Sequence, residues 1–378
     1  MVPDPPGVLD HMQFGDYVDM VLDSNGDPAL TYIFYNPLGT GDLASSALYF
    51  VRWNRDRGAW SIPVRIAVIG DTTVPPPQYV SSLAYDASAN TFAVAYLVQG
   101  SGGIDFSYSA DGGQTWSTQS VIKDSRAHLA GPSLALGGGR VYLAFVHEFD
   151  GVRLLTGTPA ALVTSWVSQI VPNTNGSEKS PISLKLDNAG KPGLAFWTAP
   201  LSGSNVLDFW RPEYPAAVQA GTTSGVRNDA IGVALAFFGT NPRLAVSANL
   251  DAGGILNTAW TTQSNDGGRT WNRFAYVTPA PGQIDGEHIS LAVDSQGHGA
   301  IGLERQPDTG PGLCHDPVVA RSLDFENWTS CTISGPVNPN VSSNHPQVAF
   351  DRADRLYLGF QNSENEDIPP GVILWHEP

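Results

Sequence analysis

Apolar and polar positions follow one another along this chain in a unit that recurs seven times. Each unit is an apolar run of about five residues, a short turn that contains Asp and often Gly, and a second apolar run. Such runs are short for helices, and the turn residues suit tight hairpins, so each unit is predicted to be an antiparallel strand pair. The copies begin at Val18, Ser81, Pro132, Pro181, Ile231, Ile289 and Pro346.

A second, more amphipathic pair of strands follows most copies, and its turn carries a recognisable motif. The motif reads SADGGQTW at 109–116 and SNDGGRTW at 264–271. Its Asp can accept hydrogen bonds from turn N–H groups, its Gly permits positive φ, and its Trp can pack a strand against the next sheet. Weaker copies are NRDRGAW at 54–60 and SLDFENW at 322–328, while LVTSWV at 162–167 keeps only the Trp.

These octapeptides resemble the Asp-box (BNR) repeat of the sialidase-like propellers. The resemblance implies a β-propeller, and the seven copies of the unit predict an all-β fold of seven four-stranded antiparallel blades, with six blades, the usual number in sialidases, as the alternative. Residues 1–378 are expected to form a single propeller domain. The seventh unit offers only three strands before the chain ends, so the stretch from Gly7 to Met12 is predicted to supply the outer strand of the last blade.

Composition and charge restrict the classes of partner. The formal net charge is −16, which disfavours nucleic acid because phosphate binding relies on Lys and Arg. No segment approaches the roughly 20 apolar residues that span a bilayer, so no membrane insertion is expected. At physiological salt, the electric field of surface charges is screened beyond about 8 Å. The negative net charge of the whole chain therefore does not exclude an acidic sugar as a ligand. A glycan or oligosaccharide is therefore the expected partner.

The expected location is extracytoplasmic or secreted. The start, MVPDPPGVLD, has neither the charged region nor the apolar core of an export signal, so any such signal is expected to be missing from this sequence. Cys314 and Cys331 bracket one predicted hairpin. A disulfide between them would fit an oxidising compartment, and two buried thiols are the other interpretation.

The ligand site is predicted on the rim opposite the Asp–Trp motifs, where longer polar loops converge on the axis. Residues just before the first strand and just after the second strand of each blade should point toward this mouth. The predicted catalytic residues are Glu287, Glu304, His288, His147, Glu148 and Tyr96. The predicted substrate-binding residues are Arg305, His345, Asp229, Trp197 and Tyr35.

Two reaction classes fit these residue types, glycoside hydrolysis and β-elimination. Two carboxylates among Glu287, Glu304 and Glu148 could divide the acid and base roles of a glycoside hydrolase. In the sialidase manner, Tyr96 or Tyr35 could be the nucleophile. However, no arginine triad is recognisable, and SIPVRI at 61–66 does not match the Arg-Ile-Pro motif that a sialidase would carry.

The remaining alternatives are a polysaccharide lyase, a lectin and a scaffold. A lyase acting on an acidic glycan would use His147, His288 or His345 as base with Arg305 on the sugar carboxylate. A non-catalytic carbohydrate-binding propeller would stack sugars on Tyr and Trp. No metal or cofactor is expected, because the chain has no CxxC, HExxH or phosphate-cradling glycine motif.

Overall fold

The computed structural model describes residues 2–3, 14–34, 45–71, 81–98, 103–123, 131–147, 150–174, 178–199, 204–223, 230–248, 258–277, 283–306, 316–332, 343–362 and 371–377. The described strands form seven antiparallel sheets in chain order. The predicted Cys314–Cys331 disulfide lies outside the described side chains.

The first three blades contain these strands: β1 (Phe14–Leu22), β2 (Pro28–Phe34), β3 (Ser45–Asn54), β4 (Ala59–Trp60) and β5 (Val64–Asp71) in blade 1; β6 (Ser81–Asp86), β7 (Thr91–Val98), β8 (Gly103–Ser109) and β9 (Ser117–Ile122) in blade 2; β10 (Ser133–Gly137), β11 (Arg140–His147), β12 (Gly151–Gly157) and β13 (Val167–Ile170) in blade 3. A 3-10 helix, Val163–Ser165, precedes β13.

Blades 4 to 7 continue the series: β14 (Glu178–Leu186), β15 (Pro192–Ala199), β16 (Val206–Trp210) and β17 (Val218–Thr222) in blade 4; β18 (Ala230–Phe238), β19 (Asn241–Ala248), β20 (Thr258–Gln263) and β21 (Ala275–Tyr276) in blade 5; β22 (Gln283–Val293), β23 (Gly299–Gln306), β24 (Asp316–Ser322) and β25 (Thr329–Thr332) in blade 6; β26 (Ser343–Phe350), β27 (Leu356–Asn362) and β28 (Gly371–His376) in blade 7.

The strands of a blade are named a to d in chain order, with β5 as strand d of blade 1. Each strand a contacts strand a of the next blade, and β26 contacts β1, so the sheets close into a ring. The seven-bladed prediction is confirmed, and the six-bladed alternative is wrong. The described residues form only β-strands, turns and one short 3-10 helix, as the turn-rich composition predicted.

Burial falls from the inner strands to the outer ones. Strand b is covered on both faces, as in β2, where every residue is buried, whereas all four residues of β13, a strand d, are exposed. Stacked blades require both faces of the inner strands to be apolar, which explains their continuous hydrophobic runs. The outer strands reach the surface and are therefore amphipathic.

The described part of the N-terminus lies against the last blade. The Val2 N–H donates to the Val372 carbonyl oxygen at 3.2 Å, and the Tyr32 hydroxyl donates to the Pro3 carbonyl oxygen at 3.3 Å. Val2 is buried in one apolar cluster with Val372 and Tyr357. The predicted stretch from Gly7 to Met12 lies outside the described residues, so closure of blade 7 by that strand, like the single-domain assignment, stays a prediction.

The turns at 109–116, 264–271 and 322–328, called the Asp–Trp turns below, share one hydrogen-bond pattern. In the first turn, Asp111 Oδ1 accepts from the backbone N–H of Gln114 and Thr115 at 3.0 and 2.9 Å, and Oδ2 accepts from the Thr115 hydroxyl at 2.6 Å. The Ser109 hydroxyl accepts from the Gly113 N–H at 2.8 Å. Asp266 and Asp324 accept turn N–H groups in the same way.

Each Asp–Trp turn contacts the preceding blade through its Trp side chain. Trp116 packs against Phe50 of blade 1, with ring centroids 5.1 Å apart, and Trp271 packs against Phe209 of blade 4 at 5.4 Å. In blade 6, the Trp328 indole N–H donates to the Thr261 hydroxyl of blade 5 at 3.0 Å. The motif therefore joins neighbouring sheets as well as shaping a hairpin.

The Asp–Trp turns should make stability depend on pH in the acid range. Hydrogen bonds from the Thr115 hydroxyl and N–H lower the pKa of Asp111 to about 2, and similar bonds lower the pKa of Asp266 and Asp324. Because the folded-state pKa is depressed, this stabilisation is present above about pH 4, the unfolded-state value, and is lost as pH falls through the folded-state value. We expect Asp111→Asn to lower the melting temperature at pH 7 but to match the wild type near pH 2.

Melting curves between pH 2 and 7 measure this effect. Asp56→Asn, at an exposed carboxylate in the β3–β4 turn, is the control and should follow the wild type throughout. If Asp111→Asn lowers the melting temperature by the same amount at every pH, the Asp111 side chain stabilises the turn through its shape and not through its charge.

Candidate functional site

The seven strands a surround the axis, and a ring of side chains joins them. Strand a is the inner edge of each sheet, so its outward N–H groups need partners beyond the sheet. The Leu83 N–H donates to Asp19 Oδ2 at 2.6 Å, and the Leu134 N–H donates to Ser82 Oγ at 3.0 Å. The same bond joins Leu184 to Ser133, Leu235 to Ser183 and Val348 to Ser290. The equivalent positions in blades 5 and 7 are Ala234 and Gln347.

Asp19 is the carboxylate in this axial ring. It also accepts from the Met20 N–H at 2.8 Å. Its side chain is only partly buried as a whole, yet protein surrounds the carboxyl group, and this burial raises its pKa. The Lys185 ammonium and the two N–H donors oppose the rise.

Lys185 supplies the opposite charge. It lies on β14 two residues after Ser183, and therefore on the same face of the strand, and its side chain is exposed. The other blades have small or apolar residues at this level: Val21, Ala84, Ala135, Ala236, Ala292 and Ala349. Among the described residues of these two layers, Asp19 and Lys185 are the charged groups, so the axial ring carries one carboxylate and one ammonium group.

Two predicted residues, Glu304 and His147, lie buried at the ends of strands b. Glu304, in β23 of blade 6, is 3% exposed, and His147, in β11 of blade 3, is 8% exposed. His147 Nδ1 lies 3.0 Å from Asp150 Oδ2, and Asp150 also forms an ion pair with Arg153. The contact places a carboxylate, itself paired with an arginine, directly beside the imidazole ring.

Tyr96 and Trp197 lie inside the sheets and have almost no exposed surface. The Tyr96 hydroxyl is 3.3 Å from Ser107 Oγ, and burial, the largest effect, raises its pKa, so the phenol stays protonated at neutral pH. The Trp197 indole N–H donates to the Gly232 carbonyl oxygen of blade 5 at 3.1 Å. Each ring belongs to an apolar cluster that spans neighbouring blades, and the side chains of that cluster cover it.

The other predicted site residues are not described in enough detail to test. Glu148, Asp229 and Tyr35 lie outside the described residues. Glu287 and His288 lie in β22, Arg305 in β23 and His345 in β26, but the description covers only their backbone. Their roles stay predictions.

The sequence analysis missed four charged residues that the structure brings together in pairs. Asp150 and Arg153 adjoin His147, and the sequence HEFDGVR could have indicated this cluster, because a tight turn brings residues three apart into contact. Asp19 and Lys185 interrupt otherwise apolar strands, which was a visible signal of a polar axis. Nothing in the sequence near either residue indicates that the ring brings the two charges to one axis.

Within the described ranges, no group of three or more His, Cys, Asp or Glu residues could hold a metal ion. None of the described segments is a helix long and apolar enough to cross a membrane.

Comparisons with known proteins bear on the fold. No family model and no curated protein matches the chain. A crystal structure of a protein of unknown function from Dyadobacter fermentans has a TM-score of 0.52 and 12% identity, covering 98% of this chain and 96% of that one. A Trypanosoma rangeli sialidase in complex with 2,3-difluorosialic acid has a TM-score of 0.50 and 12% identity, covering 96% of this chain and 59% of the sialidase.

A prolyl endopeptidase is similar to the same degree, with a TM-score of 0.51, 11% identity and coverage of 96% of this chain and 49% of the peptidase. The chain therefore spans about half to three fifths of the two enzymes. At this identity the likeness shows the fold alone, since one architecture supports unrelated chemistries. The chain has a propeller fold that a glycosidase and a peptidase also contain.

Proposed function

We propose that this chain is a carbohydrate-active propeller, a glycoside hydrolase, that acts at the mouth of the rim opposite the Asp–Trp turns. The observation that carries the proposal is Glu304, a carboxyl group buried at the end of a strand b. Glycosidases use one carboxylic acid to protonate the leaving oxygen and a second carboxylate on the other side of the bond. In this proposal Glu304 is the acid, and Glu287 or Glu148 is the second carboxylate.

The remaining residues have supporting roles in the proposal. Arg305, His345, Asp229 and Tyr35 contact the glycan, and His288 assists proton transfer. Tyr96 and Trp197 are given packing roles, since both rings are buried. The Asp–Trp turns are proposed to be Asp-boxes of the sialidase-like kind, on the face away from the ligand, and a location outside the cytoplasm goes with a glycan substrate.

A second candidate, a polysaccharide lyase, is favoured by the His147, Asp150 and Arg153 cluster. β-Elimination needs a base that removes the proton next to a uronate carboxylate and a cation that stabilises the resulting charge. An imidazole beside the Asp150 carboxylate is suited to the first task. Arg305 is the proposed partner for the sugar carboxylate.

The test is turnover by Glu304→Gln on 4-nitrophenyl glycosides and intact acidic and neutral polysaccharides. We expect the rate constant kcat to fall about 10²- to 10⁴-fold, the contribution typical of a general acid, while the melting temperature stays unchanged. Glu326→Gln, at an exposed residue in the Asp–Trp turn of the same blade, should keep full activity.

The product identifies the reaction class. New reducing ends without ultraviolet absorbance indicate hydrolysis, whereas a 4,5-unsaturated uronate indicates the lyase. Full activity of Glu304→Gln would exclude Glu304 as the acid, and a wild type that retains glycans unchanged would be a lectin.

A further inference from the structure

We propose that a groove on the rim of the Asp–Trp turns, where blade 1 meets blades 2 and 7, binds an uncharged oligosaccharide. This groove, called the junction groove below, lies on the opposite rim from the proposed catalytic mouth and does not rest on the proposed function. It consists of two adjoining cavities of about 730 and 410 Å³ that share Asp27, Trp53 and Arg55. Cavities of this size accommodate a few sugar rings.

The groove offers flat apolar surfaces at several points. Trp53 and Trp60 lie opposite each other on β3 and β4, with ring centroids 5.5 Å apart at 75°, and both are half-buried. Tyr357 and His376 of blade 7 line the second cavity, with ring centroids 5.6 Å apart. Tyr357 is buried, so Trp53, Trp60 and exposed His376 are the rings that a ligand can reach. Such rings have an apolar body and a polar edge, and they suit the C–H faces of pyranose rings.

Polar groups surround these rings and fit hydroxyl groups. Arg55 is about half exposed and donates from Nε to Asp27 Oδ1 at 2.8 Å. This bond fixes the guanidinium, whose fork carries five N–H donors in all. Asn25, Asn54 and Gln114, all exposed, add amide donors and acceptors to the first cavity.

Charge compensation favours an uncharged ligand over an acidic one. Each arginine that lines the groove is already paired with a carboxylate: Arg52 with Asp23, Arg55 with Asp27 and Arg355 with Asp351. Exposed Asp56 adds a negative charge to the same wall. Because the carboxylates already neutralise these arginines, a phosphate or uronate would add an uncompensated negative charge, whereas sugar hydroxyls can bind to the pairs as they stand.

Another cross-strand aromatic pair, in blade 5, provides a control for binding to the junction groove. Trp260 and Tyr276 lie opposite each other on β20 and β21 of blade 5, with ring centroids 5.0 Å apart, as Trp53 and Trp60 do in blade 1. Neither Trp260 nor Tyr276 lines the junction groove. A sugar that bound any exposed aromatic pair would bind both.

The test is calorimetric titration of the full chain with cellohexaose, maltohexaose and mannohexaose as neutral probes and with hexagalacturonate as an acidic probe. We expect at least one neutral hexamer to bind and Trp60→Ala to weaken it tenfold or more. Arg55→Met, which removes the guanidinium beside Asp27, should also weaken it several-fold. Tyr276→Ala should leave the affinity unchanged, and melting curves check that each variant is folded.

The results separate this proposal from the others. If no neutral hexamer binds, or if Trp60→Ala and Arg55→Met bind as the wild type does, the junction groove is not a saccharide site. Tighter binding of hexagalacturonate, lost in Arg55→Met, would overturn the uncharged ligand. Hydrolysis of a short glycoside should be the same in Trp60→Ala as in the wild type, so failure here leaves the Glu304 experiment unaffected.

Discussion

Replacement of Gly268 by alanine is expected to lower the free energy of unfolding by about 2–5 kcal/mol. Gly268 lies in the Asp–Trp turn of blade 5 with φ +100°, a conformation that costs a residue with a side chain about 1–2 kcal/mol. An added Cβ would also lie 2.3 Å from Phe209 Cε1 of blade 4. Overpacking of this kind typically costs a further 1–3 kcal/mol.

A control in the same blade separates backbone strain from the clash. Gly239 also has positive φ, +61°, but its Cβ would meet nothing within 4 Å. Gly239→Ala should therefore show only the backbone penalty of about 1–2 kcal/mol. Urea denaturation with both variants gives the difference, and equal losses would mean that Phe209 moves aside at no cost.

The double variant Gly268→Ala/Phe209→Leu extends the test to the contact between blades. If the clash with Phe209 is the cause, the two substitutions should be strongly non-additive, since contacting residues couple. Simple addition of the two losses would place the cause within blade 5.

These contacts show which part of the fold could be predicted from the sequence. Hairpin turns depend on residues close together in the chain, so SADGGQTW and SNDGGRTW indicated their own conformation, and seven repeated strand pairs indicated seven blades. The partner of Gly268 is Phe209, about 60 residues earlier. Nothing local in either segment could identify this contact, because it arises only when the blades stack in order.

The roles of the candidate site residues stay predictions, and their surroundings could not be predicted from the sequence for a related reason. Tyr96 and Trp197 lie near the ends of apolar strands, but whether a strand end is exposed depends on the neighbouring sheets, which here cover both rings. Asp19 and Lys185 lie within strands that looked purely structural, and only closure of the ring brings their charges to one axis. The repeat of apolar positions locates strands, but it does not indicate which side chains share an axis.

Replacement of Arg211 by methionine is expected to be the most damaging change to a single charge. Arg211 and Asp187 of blade 4 form an ion pair at 2.7 Å, with side chains 4% and 0% exposed, and Arg211 also donates to the Thr240 carbonyl oxygen of blade 5 at 2.7 Å. Its guanidinium lies 4.8 Å from the Phe237 ring centroid. Removal of one partner leaves a buried carboxylate uncompensated, which costs about 3–5 kcal/mol.

The loss should depend on pH, and a second substitution should reverse part of it. Burial acts to raise the pKa of Asp187, but hydrogen bonds from Arg211 and two backbone N–H groups outweigh it and lower the pKa. The stabilisation is therefore complete above about pH 4, the unfolded-state pKa, and is lost in the wild type as pH falls through the lower folded-state pKa. Denaturation at pH 7 should separate Arg211→Met widely from the wild type, and the separation should narrow as pH falls below about 4.

Asp187→Asn in the Arg211→Met background should recover stability at pH 7, because it removes the uncompensated charge. Arg321→Met breaks the exposed pair between Arg321 and Glu377, 2.7 Å apart, and should cost no more than about 1 kcal/mol. If Arg211→Met costs as little as Arg321→Met, or if Asp187→Asn makes the variant worse, then Arg211 acts through packing on Phe237 and its bond to Thr240. In that case, the stability of the contact between blades 4 and 5 would depend on the shape of the Arg211 side chain, and the charge of Arg211 would contribute little.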